Sequence, residues 1–379
     1  VVENYVSADN MAANNSEYKG TLTTDDTPHP VHLIDKYSKN KKSVRWLTIQ
    51  FITQYTDTLG NIQTDTPQNS VDFQIFNGYL KYTDELDIFN NDFGFSLSSF
   101  NLSSPSDKFL TNAPATQYAN IEDYGTLAFL APNDKLSYIK LLYFNSAGVQ
   151  IGTETINRNF GNGAYANFSS EISERLLFFG CFPANLQNWS STFQALVTAG
   201  TIQGGSILVR AFDVFNATIS KAYTININCP DTKGFESIRL CWLNQWGAWD
   251  YYTFTKKSVR SISTKGSTYE QLAGTWNQAA YRVDSYKGGK KAFRVNATEK
   301  ITMNTDYMVE DENVMFEELI NSPEVYILDG YQSDGTFSAL NQYVIPARLT
   351  TSGFTKKTVA NDKLIQYTFE VEKSKTLRT

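Results

Sequence analysis

Tyr223-Thr-Ile-Asn-Ile-Asn-Cys229 alternates an apolar residue with a short polar one at every step. A period of two puts Tyr223, Ile225 and Ile227 on one face and Thr224 and Asn226 on the other, as in a strand with one dry side. The same texture recurs outward in both directions. Val44 to Thr53 sets Leu47, Ile49 and Phe51 against Thr48 and Gln50, Ile207 to Phe215 is largely apolar, and Gln366 to Val371 alternates again. Gly and Asn break these runs at Leu59-Gly-Asn61, Ser146-Ala-Gly148, Gly161-Asn-Gly163 and Gly204-Gly205, the spacing of hairpins in sandwiches and barrels. The expected class is all-β: two β-sandwich or barrel-like domains with one or two short helices and an extended N-terminal arm.

Helical periodicity surfaces twice. From Glu310 to Ile320, Phe316, Leu319 and Ile320 fall at helical offsets behind an acidic first turn, and Ser322-Pro323 ends the run. Ser191 to Ala199 reads as a second short helix, capped by Ser190 or Ser191 and stopped by Gly200. Residues 1–43 are polar and aperiodic, an arm that either stays mobile or lies along a neighbour. Residues 44–229 carry the strand-and-turn pattern of one β-sandwich domain with long loops such as Asn101 to Thr116. Pro230 to Gly234 reads as a hinge, and 230–379 as a C-terminal β-rich domain with its helix near 310–320.

Composition bounds the function. The chain has 379 residues, 19% of them charged and 14% aromatic, with a formal charge of −6. Phosphate contacts need clustered Lys and Arg, so the acidic balance argues against a nucleic-acid partner. Cys181, Cys229 and Cys241 are too few and too odd in number for a disulfide framework and read as small core residues, with a Cys229–Cys241 bridge open. The start lacks a basic segment followed by an apolar one, and no run reaches the roughly 18 apolar residues of a membrane span. A soluble chain with no visible export signal is expected.

Candidate chemistry is sparse. His29 and His32, beside Asp25 and Asp26, are zinc- or nickel-type donors at i, i+3, yet the flanking prolines describe an exposed arm rather than an enclosed site. Glu122 with Asp123, and Glu310 to Glu312, read as solvated turns before they read as a glycosidase pair. Lys287-Gly-Gly-Lys-Lys291 lacks the Ser or Thr of a phosphate loop and reads as a charged hairpin tip. The acidic loops Asp84 to Asp92 and Asp329 to Gly335 do not match the twelve-residue calcium pattern. No catalytic residue, cofactor or metal is expected.

The densest feature is Arg239-Leu-Cys-Trp-Leu-Asn-Gln-Trp-Gly-Ala-Trp-Asp-Tyr-Tyr-Thr-Phe254, which holds three of the chain's six tryptophans. Aromatic rings bury large areas with few rotatable bonds, so the block describes a packed corner or a contact surface. Apolar residues of both parities around Gly247 favour burial on two sides at a turn over a flat sugar-stacking platform.

This block, with Leu319-Ile-Asn-Ser-Pro-Glu-Val-Tyr-Ile327 and Asn361-Asp-Lys-Leu-Ile-Gln-Tyr-Thr-Phe369, resembles tailed-bacteriophage virion structural proteins. There a signature "WLN, two residues, G, one residue, WDYY, one residue, F" introduces the C-terminal domain. The resemblance covers about residues 220–372. It implies a tail, baseplate or neck component that works through contacts with other virion proteins and with copies of itself in a ring, within particles assembled in the host cytoplasm. Trp242, Trp246, Trp249, Tyr251 and Tyr252 are the expected interface residues. Two alternatives stay open. A glycan- or receptor-binding adhesin would meet a host-surface glycan through exposed rings such as Tyr165, Trp189 or Trp276, and a glycoside hydrolase would face two carboxylates across a cleft.

Overall fold

A computed structural model describes residues 37–39, 44–47, 49–70, 73–76, 100, 102–130, 136–157, 176–227, 234–274, 279, 282–283, 286–308, 310–328, 344–351, 353, 355, 365–374 and 377–378. These are mostly β-strand, in open sheets, with three short α-helices and one 3-10 turn among the described residues. Two compact units divide them. The first holds the described residues of Val1–Cys229 together with Leu243–Asp250, and the second those of Pro230–Trp242, Tyr251–Gly330 and Asn341–Thr379. The arm expected over 1–43 lies outside the described residues except for the short strand β1 (Tyr37–Lys39).

In the first unit, a hairpin carries β2 (Val44–Leu47), β3 (Gln50–Phe51), β4 (Gln54–Thr56), β5 (Ile62–Thr64), β6 (Gln68–Asn69) and β7 (Phe73–Phe76). The strands pair as nested antiparallel partners, β2 with β7, β3 with β6 and β4 with β5. The continuous strand expected from Val44 to Thr53 is therefore two short pieces of a two-stranded ribbon, whose described side chains between Gln50 and Asn69 are exposed apart from half-buried Asp57.

Five further strands make the unit's main sheet: β8 (Thr116–Ala119), β10 (Tyr138–Phe144), β11 (Gln150–Asn157), β13 (Ser206–Phe212) and β14 (Tyr223–Ile227), ordered β11-β10-β13-β14-β8. Only the β14–β8 pair is parallel. The alternation that marked 223–229 continues across this sheet, since Ile139, Leu141 and Tyr143 of β10 and Ile207, Val209 and Ala211 of β13 are buried beside Tyr223, Ile225 and Ile227. A three-stranded sheet, β1-β12-β9, is built from β1, β9 (Thr126–Leu130) and β12 (Leu176–Gly180). Leu127, Phe129 and Phe179 from it share one core with the five-stranded sheet. Phe109 links the two sheets, meeting Phe129 edge-on at 4.3 Å and Tyr223 at a tilt at 5.5 Å. Each such fully buried side chain contributes about 1.5–3 kcal/mol relative to exposure.

The helices α1 (Pro183–Trp189) and α2 (Ser191–Thr198) close this core. Ser190 serves both. Its N–H donates to Leu186 O at 2.8 Å to end α1, and its hydroxyl accepts from Phe193 N at 3.0 Å to start α2. Gly200, at φ 67°, then stops α2 as its sequence position implies.

In the second unit, one eight-stranded sheet takes β15 (Ile238–Leu243), β16 (Trp249–Phe254), β17 (Ser258–Gln271), β18 (Gly289–Asn304), β19 (Val325–Leu328), β20 (Val344–Leu349), β21 (Thr368–Lys373) and β22 (Leu377–Arg378). The order is β16-β15-β19-β20-β21-β18-β17, with β22 also on β18. Glu310–Glu312 form the 3-10 turn that leads into α3 (Asn313–Asn321), where the sequence expects a helix. Helix α3 buries Met315, Phe316 and Leu319 against the sheet, and Phe316 stacks on Phe369 at 5.3 Å and meets Tyr252 edge-on at 4.9 Å. Strands β17 and β18 run on as a long ribbon whose β17 side chains are exposed over most of their length.

Candidate functional site

The aromatic block is the hairpin β15–β16, and one residue shapes its turn. Asn244 N donates to Ala248 O at 2.8 Å, Gly247 N donates to Asn244 O at 3.1 Å, and the Asn244 Oδ1 accepts from Trp246 N and Ala248 N, both at 3.0 Å. Gly247 sits at φ 72°, a conformation that L side chains rarely adopt. The asparagine and glycine of the signature are thus turn chemistry.

Three other hairpins use the same device. Asp57 accepts from Leu59 N and Asn61 N ahead of Gly60 at φ 86°, and Asn145 accepts from Ala147 N and Val149 N ahead of Gly148 at φ 76°. Asp213 accepts from Phe215 N and Ala217 N ahead of Asn216 at φ 62°. That turn explains why the apolar run Ile207 to Phe215 leaves the sheet after Phe212, with Val214 and Phe215 exposed at its tip. The Asn244 turn differs by being buried. Its Nδ2 donates to Leu110 O at 2.9 Å, Thr111 donates to Asp250, and the Trp246 ring lies 4.3 Å from Phe100, all within the first unit.

Of the five expected interface residues, Trp242 is 0% exposed, Trp246 5% and Tyr251 4%, while Trp249 and Tyr252 are half-buried. Trp242 and Tyr252 pack on Phe316 in the second unit, and the Tyr252 hydroxyl accepts from Asp306 N at 3.1 Å. The Tyr251 ring lies under the Arg239 guanidinium at 5.2 Å, and Arg239 Nη1 donates to Thr253 Oγ1 at 2.7 Å. Burial holds the Tyr252 phenol well above its ordinary titration range. The hairpin's turn and three of the five expected rings are therefore buried packing groups.

The other candidates are placed as follows. Asp123 is buried and accepts from Asn120 N at 2.8 Å, so this carboxylate holds a turn. Burial pushes the Cys181 thiol up to about 12 and the Cys241 thiol well above its usual value, and both are free. Trp189 is half-buried and donates to Gly180 O at 3.1 Å. A pocket of about 180 Å³ in the first unit is bordered by Lys108, Phe109, Asn112, Lys221 and Tyr223, below the roughly 300 Å³ at which ligand pockets begin. Among the described residues, no group of three or more His, Cys, Asp or Glu is placed to hold a metal, and no helix is long and apolar enough to cross a membrane. His29, His32, Tyr165, Cys229, Trp276, the Gly161-Asn-Gly163 turn and both acidic loops lie outside the described residues.

What sequence reading missed is the ribbon surface. Phe51, Tyr55, Leu59 and Ile62 are exposed on the first unit's hairpin, and Ile262, Tyr286 and Phe293 on the second unit's β17–β18 ribbon and its distal end. Apolar residues within strands were read as core-facing, and here they face outward. Lys287 to Lys291, expected as a hairpin tip, instead lead into β18, with Gly288 and Gly289 at φ 93° and 77°. No family model, no curated protein and no solved structure matches the chain.

Proposed function

We propose that this chain is a structural subunit of a tailed-phage virion, in a tail, baseplate or neck ring, acting through subunit contacts rather than turnover. The observation that carries the reading is the pair of exposed β-ribbons with apolar side chains at 75% to 85% exposure, such as Leu59, Ile62, Tyr286 and Phe293. An isolated two-stranded ribbon is marginally stable in water, and exposed apolar clusters on it mark surfaces that a neighbour covers. The signature residues fit the same role, because Asn244 and Gly247 fold a buried turn and the rings around it stiffen both units. In this reading the first unit is a β-sandwich, and its two sheets sharing one core support that assignment.

Trp249 and Tyr252 keep surface that a neighbour can touch, and Trp242, Trp246 and Tyr251 hold the hairpin behind them. The protein then resides in the phage particle, meets other virion proteins and its own copies, and is assembled in the host cytoplasm. Negative-stain microscopy of the purified chain and of particles tests this. A ring of fixed rotational symmetry, matched to a ring in the particle, is the expected image. A chain that stays single and binds on a glycan array is the result that replaces this reading with the adhesin.

A further inference from the structure

The two ribbons are opposite in charge. Ser258 to Asn304 contains eight Lys and Arg against three Asp and Glu, a net of +5, on a chain whose total is −6, so the remainder carries −11. Gln50 to Asn69 contains Asp57 and Asp65 and no Lys, Arg or Glu, the hairpin's Arg45 lying at its far end on β2. Both ribbons also present apolar side chains among these charges. On the basic ribbon Phe293 stands outward at 79% exposure, at the point where the β17–β18 register slips between Ser267 and Thr268. A bulge re-aims the extra side chain and twists the strand, which suits a projecting anchor. Lys290 pairs across with Glu270 and Lys291 with Tyr269 in the ladder, so cationic stems flank the exposed ring. On the acidic ribbon Leu59 and Ile62 are exposed at the turn and Asp65 follows on the returning strand.

From this placement we infer that the basic β17–β18 ribbon of one copy docks on the acidic Gln50–Asn69 ribbon of a second copy. The inference rests on the ring-subunit reading and deepens it by naming the two faces. The partner is a second copy because this chain itself supplies, at Gln50–Asn69, an acidic and apolar ribbon segment without Lys or Arg that complements the basic one. Two different faces meeting make a heterologous contact, so each subunit has one donor end and one acceptor end, and the series closes into a ring or grows as a filament. Apolar anchors supply most of the affinity, and the charges set orientation and reject the wrong pairing.

Complementation of two full-length variants tests the docking. One carries Lys290→Ser, Lys291→Ser and Phe293→Ser, and the other carries Leu59→Ser, Ile62→Ser and Asp65→Asn. All six positions lie on the exposed ribbons, and unchanged circular dichroism confirms that each variant folds. In sedimentation velocity the wild type assembles beyond a dimer, and each variant alone weakens association by about 100-fold, the scale of losing anchor residues. An equimolar mixture forms a 1:1 dimer and stops there, since each variant keeps the end that the other lacks. Variants that assemble like wild type overturn the ribbon contact and leave the ring reading standing. A mixture that stays monomeric while wild type assembles overturns it as well. A wild-type chain that is monomeric throughout assigns the ribbons to a different virion protein and overturns both the docking and the self-assembled ring.

Discussion

At the scale of single residues, one turn chemistry appears four times with one decisive difference in environment. Asp57, Asn145 and Asp213 bind two backbone N–H groups each in water, whereas Asn244 does so at 1% exposure and also donates to Leu110 O. Removing an exposed acceptor leaves its partners to solvent, but removing Asn244 strands buried N–H groups of Trp246 and Ala248 and a buried carbonyl. Asn244→Ala should therefore cost about 2–4 kcal/mol and Asn145→Ala about 1 kcal/mol or less, read as shifts in urea unfolding midpoints. Equal losses would show that burial does not set the difference. The pattern Asx, two residues, then Gly or Asn was visible in the sequence at all four sites, but burial was not, because it depends on Phe100 and Leu110 far along the chain. The same holds for the thiols. Burial keeps Cys181 and Cys241 protonated at pH 8, so neither should react with iodoacetamide until urea unfolds its unit, as peptide mass spectrometry would register.

At the scale of elements, α3 and a cross-strand ion network hold the second unit. Phe316 touches Trp242, Tyr252, Phe254, Tyr367 and Phe369, so Phe316→Ala empties the centre of that cluster and should cost about 3–5 kcal/mol in calorimetry. Arg260 on β17 donates to Glu236 and, at 2.6 Å, to Glu299 on β18, while Lys373 on β21 reaches Glu299 at 2.9 Å. The hydrogen bonds from Arg260 hold the Glu236 carboxyl below its ordinary value. Burial pushes Glu299 up, but Lys373 and Arg260 outweigh it and hold it low too. A depressed carboxyl stabilises the fold above its unfolded value of 4.5 and loses that contribution as pH falls through the lower folded value. Arg260→Met should flatten the fall in urea midpoint between pH 6 and pH 3, whereas an unchanged fall would show that the network is idle. Elements with a buried face were legible in sequence: α2 came from its cap and its Gly stop, α3 from its periodicity and the Ser322-Pro323 stop, although the acidic residues 310–312 form the 3-10 turn ahead of it rather than its first turn, and β14 from clean alternation. Helix α1 was missed although Pro183 at its first position is a start signal. The β17–β18 ribbon was missed for a deeper reason, since a strand wet on both faces carries no alternation, and only the charged segment Lys287 to Lys291 stood out in it.

At the scale of the whole molecule, the question is whether like-charged copies can associate through oppositely charged ribbons. Copies of charge −6 with centres about 50 Å apart, the scale set by chain length, repel by about 3 kcal/mol in pure water by Coulomb's law. A Debye length of about 10 Å at 0.1 M salt cuts that to well below 0.1 kcal/mol. Contacting charges about 4 Å apart retain most of about 1 kcal/mol per pair under the same conditions. Local complementarity therefore wins over net repulsion at physiological salt, even though the total charge alone points the other way. Raising sodium chloride from 0.1 M to 1 M shortens the Debye length to about 3 Å and should weaken assembly by about twofold for each contact pair, read by sedimentation velocity. An interface held by the rings alone would respond with the opposite sign, because excluded salts such as sulfate strengthen apolar burial. Assembly that tightens in chloride and sulfate alike would place the joint on aromatic surface such as Trp249 and Tyr252, whereas loosening in chloride places it on Lys290, Lys291 and Asp65.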